Sequence, residues 1–167
     1  MTATLEGILA DARSRARTVD RRATDLRNLI GAVVDDLRPL ADSRGVRLRL
    51  SAEEPVEARV DHLAIERAVA NLITNAIEHS PRGEAVDVAV VGEGEVASVE
   101  VTDHGRGIAP ADQEQVFDRC WRGESGDGAG IGLAIVRQVA AAHGGHTSVT
   151  SPVQGDAGSR FALVVRK

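Results

Sequence analysis

The densest run of residues suited to chemistry is Gly126-Asp127-Gly128-Ala129-Gly130-Ile131-Gly132-Leu133. Glycine at every second position lets the backbone approach a ligand closely and take positive φ. A helix is expected from Leu133 to Ala142, so its free N–H groups and positive dipole end point into the loop. That is a setting for phosphate. No Gly-Lys-Ser/Thr follows, so the run is not a P-loop. No strand directly precedes it, so it does not meet the dinucleotide fingerprint. Taken alone, the run also fits a flexible surface loop.

Two further sets stand out. Asp103-His104-Gly105-Arg106-Gly107 closes an expected strand. A carboxylate there, beside glycines that permit close approach, suits a hydrogen bond from an exocyclic amine such as adenine N6; a strand-ending turn with an exposed Asp is the plainer reading. Asn71 and Asn75 lie four residues apart and therefore share one helix face. Their neighbours Val69, Leu72, Ile73 and Ala76 are apolar, so two amides beside a core need partners. Amide oxygens are hard ligands suited to Mg²⁺, and either Asn alone also fits a backbone cap.

The elements that must position these sets follow from periodicity. Leu5, Ile8, Leu9, Ala12, Ala16 and Val19 form one apolar stripe among several arginines. It reads either as a seam for a partner helix or as a solvated terminal helix. Asp25 can cap a helix carrying Leu26, Leu29, Ile30, Val33, Val34, Leu37 and Ala41, stopped by Gly45. Val46 to Leu50 alternates as a half-buried strand, and Glu57 to Val60 is a second short one. Asp61 can cap the helix that bears Asn71 and Asn75, which Ser80-Pro81-Arg82-Gly83 ends. Ala85 to Val91 and Val96 to Thr102 form a hairpin across Gly92-Glu93-Gly94-Glu95. A short helix is expected from Pro110 to Val116, and two last strands over His146 to Thr150 and Arg160 to Val165. The expected fold is an α/β (α+β) two-layer sandwich. Its sheet is mixed, mostly antiparallel, of about five strands, with three main helices on one face.

Composition narrows the function classes. The 167 residues and 43% hydrophobic content suffice for one packed domain. There are two Phe, one Trp and no Tyr, and the net charge is -5. Both argue against a nucleic-acid binder, which needs stacking rings or a basic face. A single Cys excludes an internal disulfide framework and a four-thiolate zinc site. No apolar run is long enough to cross a membrane, and the start of the chain lacks the apolar core of a signal peptide. The expected location is cytoplasmic, for a soluble domain or a soluble piece of something larger.

Together the sets resemble one family. Asn71-Leu72-Ile73-Thr74-Asn75-Ala76 is similar to the N box of sensor histidine kinases. Asp103-His104-Gly105-Arg106-Gly107-Ile108 resembles the G1 box, and Phe117-Asp118-Arg119-Cys120-Trp121-Arg122 the F box. Gly128-Ala129-Gly130-Ile131-Gly132-Leu133-Ala134-Ile135-Val136 resembles the G2 box. His143-Gly144-Gly145 and Gly158-Ser159-Arg160-Phe161 match the family's closing segments. Order and spacing agree from about Asp25 to Lys167.

The resemblance implies the Bergerat ATP-binding fold shared with gyrase, Hsp90 and MutL-type ATPases, with ATP and Mg²⁺ as cofactors. It implies residues 1–22 as the tail of a dimerisation helix and linker, and 23–167 as the catalytic domain. The segment from about 108 to 127 is then a mobile lid over ATP. Asp103 would hold adenine N6, with Gly105, Gly107 and Ile108 beside the ring. Asn75 would hold Mg²⁺, and Asn71 would serve the same phosphate side. Arg122 would reach the terminal phosphate. Gly128, Gly130, Ile131, Gly132 and Leu133 would line the phosphates.

The ATPase relatives carry Glu at the position of Asn71, as general base on water. An amide cannot take that proton, which favours phosphoryl transfer over hydrolysis. The implied acceptor is a His followed by an acidic residue. None of His62, His79, His104, His143 and His146 is so followed. The acceptor is therefore expected on a His-bearing dimerisation domain outside this chain, with a response regulator as the further partner. Glu78 departs from the family, which usually has a basic residue there, and His79 stands where many members have an aromatic. The alternative is a degenerate nucleotide-binding or protein-interaction module without kinase activity.

Overall fold

A computed structural model describes residues 20–52, 54–118, 131–155 and 157–167. The N-terminal stripe, Arg122, Gly128, Gly130 and the lid beyond residue 118 lie outside them.

The order is β1 (Arg22–Asp25), α1 (Leu26–Arg44), β2 (Arg47–Ser51), β3 (Glu57–Val60), α2 (His62–His79), β4 (Ala85–Glu93), β5 (Val96–Asp103), α3 (Pro110–Gln113), α4 (Gly132–Ala142), β6 (Thr147–Thr150) and β7 (Ser159–Arg166). Five strands form one sheet in the order β2-β4-β5-β7-β6. Only β2 and β4 pair in parallel; the other three pairings are antiparallel. Among the described residues three long helices lie on one face, α1 over β2 and β4, α2 over β4 and β5, and α4 over β7 and β6. This is the sandwich expected from the sequence.

The physical causes are local. Asp25 accepts the Arg27 N–H at 2.9 Å and starts α1, and Gly45 at φ 69° stops it. Pro39 sits inside α1 without breaking it. Both Pro39 and Asp35, whose carbonyl loses its donor, are exposed, so the lost bond falls on the solvent side of the helix. Asp61 starts α2 by accepting the Ala64 N–H. The inward residues of the strands, Val86, Val88, Val99, Val101, Phe161 and Leu163, meet Ile65, Val69, Leu72, Ile73 and Ala76 of α2 in one core. Phe117 packs edge-on to Phe161 with ring centroids 6.0 Å apart, so the first residue of the F-box segment is anchored in that core.

Three expectations shift. β1 was not foreseen: it pairs antiparallel with β3 in a separate two-stranded sheet. Four polar-rich residues carry no alternation strong enough to mark it. The β4–β5 hairpin is longer than read, since Glu93 pairs with Val96 and only Gly94-Glu95 turn. Gly94 at φ 54° supplies the left-handed position that such a turn needs. The helix expected to Val116 ends at Gln113 and continues as turns.

Candidate functional site

α2 is the spine of the site. Its core face is fully buried through Leu72, Ile73 and Ala76. Asn71 and Asn75 are half-buried on the neighbouring face, and His79 follows at the same spacing. Residues 71, 75 and 79 thus mark a line of about 12 Å along the helix.

At one end of this line stands the Asp103 turn. Asp103 ends β5 and is only 3% exposed. Gly105 N–H donates to Asp103 Oδ1 at 2.9 Å. Burial pushes the Asp103 carboxyl above its ordinary range, while the Gly105 N–H, His79, the Ser159 N–H and His104 pull the other way. A buried carboxylate held in this way retains acceptor capacity for a neutral N–H donor. Gly105 lies so close to α2 that a Cβ on it would stand 2.5 Å from the His79 carbonyl oxygen. Gly107 takes φ 78°, which explains the second glycine.

At the other end stands α4. Its first residue, Gly132, offers its carbonyl to Asn71 Nδ2 at 3.4 Å. A Cβ on Gly132 would meet the Asn71 side chain at 3.6 Å. Among the described residues no side chain caps the helix at Ile131, which leaves the first N–H groups of α4 without a partner there. Ile131 is 50% exposed and Leu133 is half-buried. The half-buried Asn75 amide, between the two ends, makes no hydrogen bond among the described residues. An open amide oxygen one helical turn from the Asn71–Gly132 contact fits the donor set of a hydrated Mg²⁺ that shares a phosphate.

The structure therefore brings Asn71, Asn75, Asp103, Gly105, Gly107, Gly132 and Leu133 around one side of α2. Ile108 leaves the turn next to them. Arg122, Gly128 and Gly130 fall outside the described residues. Glu78 is exposed.

Sequence reading missed the braces of the turn. Ser151 Oγ accepts the Ile108 N–H at 2.8 Å and donates to the Gly158 carbonyl at 2.9 Å. Gln113 Nε2 donates to the carbonyls of Ser151 and Ile108. Gly158 N–H donates to the Gly105 carbonyl at 2.7 Å, and a Cβ on Gly158 would lie 2.7 Å from the Asp103 carbonyl oxygen. Single polar residues in loops leave no periodic signal. Gly158 was visible only as part of a matching segment.

Residues 60–167 match the family model described as histidine kinase-, DNA gyrase B-, and HSP90-like ATPase. The chain is 35% identical over 162 residues to the sensor histidine kinase CusS of Escherichia coli O6:H1, covering 94% of this chain and 33% of that protein. It is 36% identical over 146 residues to the sensor-like histidine kinase SenX3 of Mycobacterium tuberculosis H37Rv, covering 84% of this chain and 35% of that protein. The chain thus spans about a third of the length of these curated relatives. Among solved structures, a mycobacterial sensor histidine kinase MprB superposes with TM-score 0.78 at 30% identity, over 87% of this chain and 97% of that one. Full-length ShkA in complex with AMPPNP superposes with TM-score 0.79 at 25% identity, over 90% of this chain and 32% of that one.

Proposed function

This chain belongs to the histidine kinase-, DNA gyrase B- and HSP90-like ATPase family, as an ATP-binding catalytic domain of the sensor histidine kinase type, and on that premise we propose that it binds ATP with Mg²⁺ and donates the γ-phosphate to a histidine on a dimerisation domain outside this chain. The observation that carries the reading is the arrangement along α2. A buried acceptor, Asp103, lies at one end, and an uncapped helix start at Gly132 lies at the other, with Asn71 and Asn75 between them.

Each group has a distinct task. Asp103 accepts the adenine N6 hydrogen, and its burial excludes the water that would compete. Gly105 lets the turn lie against α2, Gly107 leaves room for the ring, and Ile108 flanks it. The N–H groups from Gly132 and Leu133 face the phosphates. Asn71 and Asn75 would hold the Mg²⁺ side, where the ion neutralises phosphate charge. Arg122, with Gly128, Gly130 and Ile131, completes the phosphate end in this reading, and 108–127 closes over it. Asn71 cannot act as a base on water, so positioning for transfer prevails over hydrolysis. Residues 1–22 would be the helix tail and linker. A response regulator would receive the phosphoryl group next, and the protein would work on the cytoplasmic side of a membrane. Among the described residues no helix is long and apolar enough to cross one.

The direct test adds a separate His-bearing dimerisation domain from a related kinase and radiolabelled Mg-ATP. Acid-labile, base-stable phosphate on that domain is expected. Steady phosphate release at the rate of a true ATPase, with no transfer, would overturn the reading.

A further inference from the structure

His143 is the chain's most buried histidine at 1% exposure, yet it lies at the far end of α4 from the phosphates. Its ring is fixed by two backbone groups of opposite kind. Nδ1 is 2.8 Å from the Val139 carbonyl oxygen, which can only accept. Nε2 is 3.0 Å from the Asp61 N–H, which can only donate. The ring therefore carries its proton on Nδ1 and accepts at Nε2.

Asp61 is the N-cap of α2. The two helices run in opposite directions and are joined twice: Asp61 to His143 at one end, and Asn71 to Gly132 at the other. The span from Asp61 to Asn71 is about 15 Å and that from Gly132 to His143 about 16 Å, at the rise of an α-helix. The two lengths match, so the first joint sets the register at the second. A slide of α4 by one residue would remove the Gly132 carbonyl from Asn71.

We infer that His143 is a positioning residue for the nucleotide's phosphates. It fixes α4 against α2 through the Asp61 N–H and so places the start of α4 beside Asn71. The adenine end needs no such register, because Asp103 and Gly105 are held by the end of α2 and by β7. The inference rests on the nucleotide reading above. A side chain that only fills the core would affect both ends of the ligand equally.

The test is an NMR titration with Mg-ATP and, separately, with adenosine. His143→Asn keeps a donor for Val139 but cannot reach Asp61, whereas His143→Gln carries a carbonyl to the place of Nε2. His143→Asn is expected to weaken Mg-ATP by about tenfold and adenosine by less than about twofold, the scale of one lost buried hydrogen bond acting at one end. His143→Gln is expected to bind both as the parent does. Equal losses for both ligands, no loss of Mg-ATP, or a Gln variant as weak as the Asn variant would overturn the inference alone. A parent chain that binds neither ligand overturns the nucleotide reading as well. The ring ¹⁵N shifts of the parent give a check that needs no variant: a protonated Nε2 on His143 would overturn the inference.

Discussion

Gly105 sits against the last carbonyl of α2, so close that a Cβ on it would stand 2.5 Å from the His79 oxygen. This contact ties the Asp103 turn to the helix that carries Asn71 and Asn75. A backbone oxygen cannot swing aside as a side chain can. Gly105→Ala is therefore expected to destabilise the fold by about 1–3 kcal/mol through overpacking. It should also weaken adenosine binding, because the turn must move. Urea unfolding and an adenosine titration check both; unchanged values in both would contradict the packing argument.

Asp103 carries a trade between stability and binding. Burial raises its carboxyl pKa in the folded state, so the folded chain binds more protons than the unfolded chain just above the ordinary carboxylate range. The ligand-free protein is therefore more stable on the acid side of that window, and loses this contribution as pH rises through the raised pKa. Asp103→Asn should flatten that part of the stability profile. At neutral pH it should leave thermal stability equal or higher, while it turns an amide donor toward the adenine amine. Loss of ATP affinity by at least about tenfold is expected, the scale of a charged acceptor lost from a buried site. Calorimetry and thermal melts between pH 4 and 8 measure both effects.

Two glycines at opposite ends of α4 should respond in opposite ways. A Cβ on Gly132 meets the Asn71 side chain at an ordinary 3.6 Å, whereas a Cβ on Gly145 would overlap the Val164 carbonyl oxygen. Gly132→Ala should stay within about 1 kcal/mol of the parent, since Ala suits a helix. Its methyl nevertheless enters the space beside the phosphates and should weaken ATP more than adenosine. Gly145→Ala should cost about 3 kcal/mol or more, because backbone meets backbone. Denaturation of both variants, with ATP titration of the first, decides it.

Much of this was legible in the sequence because the helices carry continuous apolar stripes. Leu26 to Ala41 and Ile65 to Ile77 each put one face in the core. The β4–β5 pair was legible through alternation and a glycine turn. Asn71 and Asn75 stood out because amides there interrupt an apolar face, and Asp103 because it closes a strand beside glycines. β1 did not stand out, since its pairing with β3 is a tertiary choice of four residues. Ser151 and Gln113 did not either, because a hydroxyl and an amide in loops acquire their roles only when the chain brings them to Ile108. The same holds for His143, whose partner Asp61 is 82 positions away.

Asn75 tests the metal assignment. Its amide makes no hydrogen bond among the described residues, so Asn75→Ala should leave stability within about 0.5 kcal/mol, as for a site without structural partners. It should abolish the gain in ATP affinity that Mg²⁺ gives the parent. A Mg²⁺ dependence that survives the substitution would place the ion elsewhere.

The proposed site lines up an adenine acceptor and a phosphate end along α2. It is tested most directly by isothermal calorimetry of the chain with ATP, with and without Mg²⁺. Saturable binding at one site, strengthened by Mg²⁺ and lost in Asp103→Asn, is expected. No detectable heat or saturation up to millimolar ATP would contradict it.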